Sequence, residues 1–323
     1  MCIRRFFTAS LFALSLLLSS CQLVKPFVPA DVIIEDAHGG GSLVRFNAQE
    51  TILVSGGWAG KLRFWHLPAG TAGISWQAHD DELTGASFIQ HDEALVTTGY
   101  DGWIKRWSAS GTLLQQVDTH SAIRSMVLDE AEDVLITGHV DGSVRVWRLQ
   151  DLRLMAQKHH HAKDIRAVTW YGPKKWIASS SFDGTVWLWP LGKPPVKLET
   201  PPSDARTLSF AEGGKTLLGG GWFHLFRWSL QNQTLQVVKT EHAGIIRNMQ
   251  LVQQGKTLAT ISRQTDSAVL FLDPNTGKVK QRFQSHDLCG ADVTVSRRHR
   301  FMATTSDDAS VRIWRLDSNR TQL

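Results

Sequence analysis

The chain has 323 residues, 42% of them hydrophobic and 20% charged, with 13 Trp against 2 Tyr, a composition that buries a core and excludes wholesale disorder. Its formal charge of +5 is too small a bias to mark a nucleic-acid surface. Three cysteines, Cys2, Cys21 and Cys289, make no disulfide framework, and without a Cys-x-x-Cys there is no c-type haem or Cys-rich zinc site, so no cofactor is expected.

Residues 1–5 form a short basic stretch carrying Arg4 and Arg5, and an apolar run of 13 residues (6–18) follows. A bilayer-crossing helix needs about 20 apolar residues, so this run reads as a secretory signal peptide over residues 1–20. Leu18-Ser19-Ser20-Cys21 resembles the lipobox of bacterial lipoproteins. The resemblance implies cleavage before Cys21 and lipid on its sulfur, which with a second or third acyl chain anchors a protein stably to a membrane. Gln22 stands where an Asp would favour the inner membrane, so the expectation is a cell-envelope protein on the periplasmic side of an outer membrane. Loss of Arg4 and Arg5 would lower the net charge by two, from +5 to +3. Residues 21–30, with two prolines and no helical period, read as an extended tether.

From residue 31 to 316 the chain repeats itself. Trp65, Trp107, Trp147, Trp189 and Trp228 are 39 to 42 residues apart, and Trp314 follows after 86, with Leu272 at the midpoint of that gap. His38, His79, His120, His161, His242 and His286 keep the same phase with one unit skipped. This gives seven units of about 41 residues. In the unit that starts at His120, β-branched runs at 123–127, 134–138 and 144–147 are separated by an acidic turn (129–133) and by Asp141-Gly142, and a fourth run starts at Arg153. The pattern predicts four short strands per unit and almost no helix.

The segments DGWIKRW (101–107), DGSVRVW (141–147), DGTVWLW (183–189) and DASVRIW (308–314) resemble the core of WD40 repeats. That resemblance implies an all-β, seven-bladed β-propeller over residues 31–316, with four antiparallel strands per blade and a short tail at 317–323. It implies that residues 31–35 complete blade 7 beside 310–314 and close the ring. It also implies buried hydrogen-bond relays: His79, Asp101 and Trp107; His120, Asp141 and Trp147; His161, Ser181, Asp183 and Trp189; His286, Asp308 and Trp314. These sets contain the residue types of a catalytic triad, but they recur from blade to blade where an enzyme needs one site. Paired polar groups that rigidify a blade explain the recurrence. Ala59 replaces the turn Asp of unit 1, GGGWFHLFRW in unit 5 lacks both Asp and His in phase, and Leu272 replaces the Trp of unit 6. Blades 1, 5 and 6 are therefore expected to be the less strongly stapled.

His159 and His160 have no Cys or carboxylate at ligand spacing and read as surface loop, so no metal is expected. Cys289 reads as a small buried residue. Arg124, Arg166, Arg206 and Arg247 recur at 42, 40 and 41 residues, the blade pitch, each at the start of an innermost strand. In a propeller this places four guanidiniums in an arc at the mouth of the central channel, an arrangement suited to carboxylates or phosphates. Trp58, Tyr100 and Phe182 occupy or match the slot before the turn Asp, a frequent partner-contacting position in WD40 proteins, and Trp222 lies close to it. Arginines and aromatics are the residues that dominate binding hot spots. Alternatively, the arginines pair with acids such as Asp164 and Asp204 on neighbouring blades.

The function expected from these features is a non-enzymatic, membrane-anchored protein-interaction scaffold. It would dock an acidic or extended protein segment on the top face of the propeller. The alternative is a propeller that binds a small anion or substrate, or an enzyme, at the channel mouth. Fold alone does not choose between them.

Overall fold

A computed structural model describes residues 26–316. The expected signal peptide, Cys21, the first part of the expected tether and the tail at 317–323 lie outside the described residues.

Seven four-stranded antiparallel sheets stand around a central channel. The innermost strands of blades 1 to 7 are Gly41–Phe46, Leu83–Ile89, Ile123–Asp129, Ile165–Tyr171, Thr207–Ala211, Ile245–Val252 and Gly290–Val295. Among the described residues, helix is confined to three single 3-10 turns, Gly172–Lys174, Glu212–Gly214 and Gln253–Gly255.

The hydrophobic core is divided among the blade boundaries. Seven clusters of buried side chains each straddle two neighbouring blades, the last joining blade 7 back to blade 1. Strands in the middle of a blade are covered on both faces, so Ala94–Gly99, Val134–His139 and Phe301–Ser306 are buried at every position. This is why their sequences run continuously apolar or small instead of alternating. The repeating tryptophan has one place in this scheme: Trp107, Trp147, Trp189, Trp228, Trp314 and Trp65 each sit in the cluster facing the preceding blade. Leu272 fills that place in blade 6.

Ring closure uses Val32–Ile34, which pairs antiparallel with the third strand of blade 7 in the register Val32 to Ile313, Ile33 to Arg312 and Ile34 to Val311. The segment before it is more ordered than a tether. Phe27–Val28 adds a fifth, parallel strand to blade 6, opposite Arg282 and Phe283. Val28 packs on the core between blades 6 and 7, and its carbonyl accepts hydrogen bonds from the Gln284 N–H at 2.9 Å and the Trp314 indole at 3.1 Å. Residues 27–34 therefore strap blade 6 to blade 7.

Candidate docking face

Six of the seven innermost strands begin with the same irregularity. In blade 3, Ile123 pairs with His139 and Ser125 with Gly138, leaving Arg124 bulged out between them. The same one-residue bulge puts Ser42, Thr84, Arg166, Arg247 and Ala291 at the channel in blades 1, 2, 4, 6 and 7. In blade 5, Arg206 immediately precedes the regular pairing that starts at Thr207. A bulge re-aims one side chain without disturbing the rest of the ladder. All of these positions line one cavity of about 320 Å³ at the channel mouth. Blades 3 to 6 present arginine there, and blades 7, 1 and 2 present Ala291, Ser42 and Thr84, so the funnel is cationic on one side and small on the other.

The arc carries more positive charge than it has acids to balance. Arg124 lies 3.5 Å from Asp164, and Arg166 lies 3.5 Å from Asp204. Arg206 Nε contacts Asp204 Oδ2 at 2.6 Å, so the one carboxylate of Asp204 serves two guanidiniums. Among the described residues no carboxylate comes within 4 Å of Arg247, whose nearest acidic fields are those of Glu82 and Asp292. Burial, the neighbouring Arg206 and other cations pull the Arg166 guanidinium down to about 9 against the attraction of Asp204. Burial and Arg263 likewise lower Arg247. Farther down the channel, Asp292 is fully used: it bonds Arg45, Asn248 and the backbone N–H groups of Val44 and Val293. The expected pairing with Asp164 and Asp204 is therefore present and leaves the arc cationic.

Of the aromatic slot residues, Trp58 is 46% exposed and Phe182 40%. Arg124 lies over the Tyr100 ring at 4.6 Å, while Arg166 and Arg206 share the Phe182 ring. Cations and aromatic rings thus pair twice on this face, once across blades 2 and 3 and once across blades 4 and 5. Sequence reasoning missed Phe223, 42% exposed, which takes the blade 5 slot next to Trp222: its N–H reaches the Gly244 carbonyl just as the Phe182 N–H reaches that of Asp164. It also missed Ser42, which no repeat motif singles out.

Beneath this face lie the relays. In blade 2 the Trp107 indole donates to Thr97 Oγ1 at 2.9 Å. The Thr97 hydroxyl then donates to His79 Nε2 at 2.8 Å, and the opposite ring N–H is left for Asp101 at 2.9 Å. This one-way chain requires a neutral imidazole, and burial lowers the His79 pKa accordingly. In blade 7, His286 joins Thr304, Asp308 and Ser310.

The structure corrects several expected members. His120 is not in a relay: its side chain is 86% exposed beside Asp118. His139 replaces it, bonded to Thr137 at 2.7 Å, with Trp147 donating to the same hydroxyl. The reason is steric. A side chain at Gly99, the blade 2 counterpart of His139, would strike the His79 ring at 2.4 Å. Whichever backbone position supplies it, one imidazole fills that space. Asp141 accordingly pairs with Arg145 and not with histidine. In blade 4 the relay hydroxyl is Ser179, 2.9 Å from His161. Ser181 instead donates to the Lys163 carbonyl. Trp189 lies in the apolar core, and His160 takes the second bond to Ser179 at 3.1 Å while its ring packs against Trp187 at a tilt of 56°. Trp314 donates to Val28 and not to Thr304.

Blade 6 is better stapled than expected, because His242 bonds Thr260 at 2.8 Å with Asp266 alongside at 3.6 Å. In blade 1, with Ala59 in place of the acid, His38 turns to Thr305 of blade 7. Blade 5 has no relay, and its Trp228 donates to the Glu199 carbonyl. Cys289 is a free, half-buried thiol. Among the described residues no three His, Cys, Asp or Glu side chains gather as metal ligands, and no helix is long and apolar enough to cross a membrane.

Most of the seven blades hold a buried imidazole–hydroxyl relay, and WD40 repeats are found within this propeller. Residues 111–148, 153–190 and 277–315 match the family described as WD domain, G-beta repeat. The chain is 30% identical over 163 residues to Ribosome biogenesis protein YTM1 of Podospora anserina, covering 43% of this chain and 32% of that protein. It is 22% identical over 276 residues to human Striatin-4, covering 75% and 37%. To the Target of rapamycin complex subunit LST8 of Saccharomyces cerevisiae it is 23% identical over 237 residues, covering 70% and 78%. The chain thus spans about a third of the length of the first two. Propellers of this kind are generally non-enzymatic scaffolds that bind protein partners.

Proposed function

We propose that this protein is a non-enzymatic interaction scaffold, held to a bacterial envelope membrane by lipid on Cys21. Its top face docks an acidic or extended segment of a protein partner. The observation that carries this reading is the surface made by Arg124, Arg166, Arg206 and Arg247 together with the exposed rings of Trp58 and Phe182 and the half-buried ring of Tyr100. The under-neutralised arc supplies attraction and bidentate donors, and the rings supply apolar contact area at low entropy cost. An outer membrane, periplasmic side, fits Gln22 after the lipidated cysteine.

Two measurements on one membrane preparation test it. The mass of the N-terminal peptide should show an acylated Cys21; an intact Met1 would sink the anchor. Crosslinking should capture a partner that is lost when all four arginines become alanine while the melting curve stays in place. Loss of folding in that variant would assign the arginines to structure and remove the docking role.

A further inference from the structure

We propose that the channel mouth holds a seat for a single tetrahedral oxyanion group, phosphate or sulfate, made by Arg247 with Arg206 and Arg166. This sharpens the docking reading and rests on it, since the seat lies on the surface assigned to the partner.

Three observations converge. First, donors are left over. The Nε of Arg124 and the Ser42 hydroxyl are buried without hydrogen-bond partners, and the single carboxylate of Asp204 is shared between the Nε groups of Arg206 at 2.6 Å and Arg166 at 3.5 Å; all four of these donor residues line the same cavity. Buried polar atoms are rarely left unsatisfied, and several at one cavity mark a missing ligand or ordered solvent. Second, the charge is uncompensated. The acids whose fields reach Arg247 are Glu82 and Asp292, yet neither comes within 4 Å, and Asp292 is already spent on Arg45, Asn248 and backbone N–H groups. Burial first, and neighbouring guanidiniums after it, lower Arg166 and Arg247, and a bound anion would offset both effects. Third, there is room. Ala291, Ser42 and Thr84 stand opposite the arc, and the cavity of about 320 Å³ far exceeds the ~30 Å³ taken by a water molecule in the liquid.

The donor directions favour a tetrahedral group over a carboxylate. A carboxylate offers two oxygens in one plane, whereas these donors come from blades 3, 4, 5 and 6 and, through Ser42, from blade 1. A tetrahedral group directs three oxygens around an axis and meets donors on several sides at once.

The test uses the purified full chain and calorimetric titration at fixed ionic strength with inorganic phosphate, sulfate, phenyl phosphate and acetate. Saturable one-to-one binding of phosphate and sulfate is expected, with acetate at least about tenfold weaker. Tighter binding of phenyl phosphate than of inorganic phosphate would assign the group to a larger ligand, and the reverse order would assign it to the free ion. Arg247→Gln should weaken phosphate about tenfold or more with its melting temperature kept, and Arg247→Lys should retain part of the affinity. Arg298→Gln, on the exposed turn of blade 7, should change nothing. Absence of saturable phosphate binding, equal binding of acetate, or indifference to Arg247→Gln overturns the seat. Partner capture is read separately. A partner crosslinked without phosphate binding leaves docking standing and removes the seat, whereas phosphate binding without a partner does the opposite.

Discussion

His139 and Thr137 lie two residues apart on one strand and share a 2.7 Å hydrogen bond. Residues i and i+2 of a strand face the same side, so one strand supplies both ends of a contact that blade 2 makes between His79 and Thr97, from separate segments. His139→Ala should cost about 1–3 kcal/mol, because it leaves the Thr137 hydroxyl short of a partner in a dry core. His120→Ala, at the position that keeps the repeat phase, should stay within about 0.5 kcal/mol. Urea unfolding of the two variants distinguishes them, and a larger loss for His120 would contradict the assignment.

Acid should weaken the fold before the carboxylates titrate. Burial first, then a neighbouring arginine, pulls His139 down to about 4, and burial also pulls His160 to about 4. Unfolded, each takes up a proton near 6.5. Between those values the unfolded chain binds more protons than the folded one, so stability is full above pH 6.5 and falls as pH drops towards 4. The His139 contribution is roughly 3 kcal/mol. A second loss follows below pH 4, where Asp266, held at about 2 by His242 and Ser262 against burial, must protonate. Melting temperatures from pH 7.5 to 4 should show the first slope, and His139→Gln should flatten it.

Two glycines at the same turn slot separate steric clash from backbone strain. Gly60 has φ of 71° and Gly184 has φ of 79°. A Cβ at Gly60 would meet the His79 carbonyl oxygen at 2.1 Å, whereas nothing lies within 4 Å at Gly184. Gly184→Ala should cost only the left-handed strain, about 1–2 kcal/mol. Gly60→Ala should cost clearly more, because backbone must move. Equal losses in chemical denaturation would refute the difference.

The strap can be cut in two ways. Trp314→Phe removes the indole donor to Val28 and should cost about 1 kcal/mol. Deleting residues 31–36 removes the outer strand of blade 7 and exposes a sheet edge; a drop in melting temperature on the order of 10 °C or more is expected. A truncated chain that melts with the intact one would mean that the ring holds without its clasp.

Much of the architecture could be read from spacing because one side chain per blade has one structural duty. The tryptophan period marks the boundary with the preceding blade, and Leu272 was placed by phase alone. The arginine arc was legible for the same reason: a fixed place at the start of the innermost strand, bulged in six of the seven blades, converts blade pitch into positions around a channel. Relay membership was less legible. Phase cannot tell His120 from His139, because what is repeated is a volume for an imidazole and either backbone position can fill it. Ser179 and Ser181 share a strand face, and only the Lys163 carbonyl pulls one of them away. The parallel strand at Phe27–Val28 leaves no pattern at all, since two residues cannot show a period.

The clasp also sets the order in which the molecule can be completed. Ile33 and Arg312 are register partners although 279 residues separate them in the chain. As the chain emerges from its N-terminus, residues 32–34 appear first and their partner strand appears last. Six blades can form by local pairing in the meantime, each bringing its own four strands. The ring stays open through all of that time, with an unpaired edge at each end, and long-range pairing of this kind is slow and prone to aggregation. A chain halted before residue 311 would therefore be a nearly finished propeller with nothing to shut it.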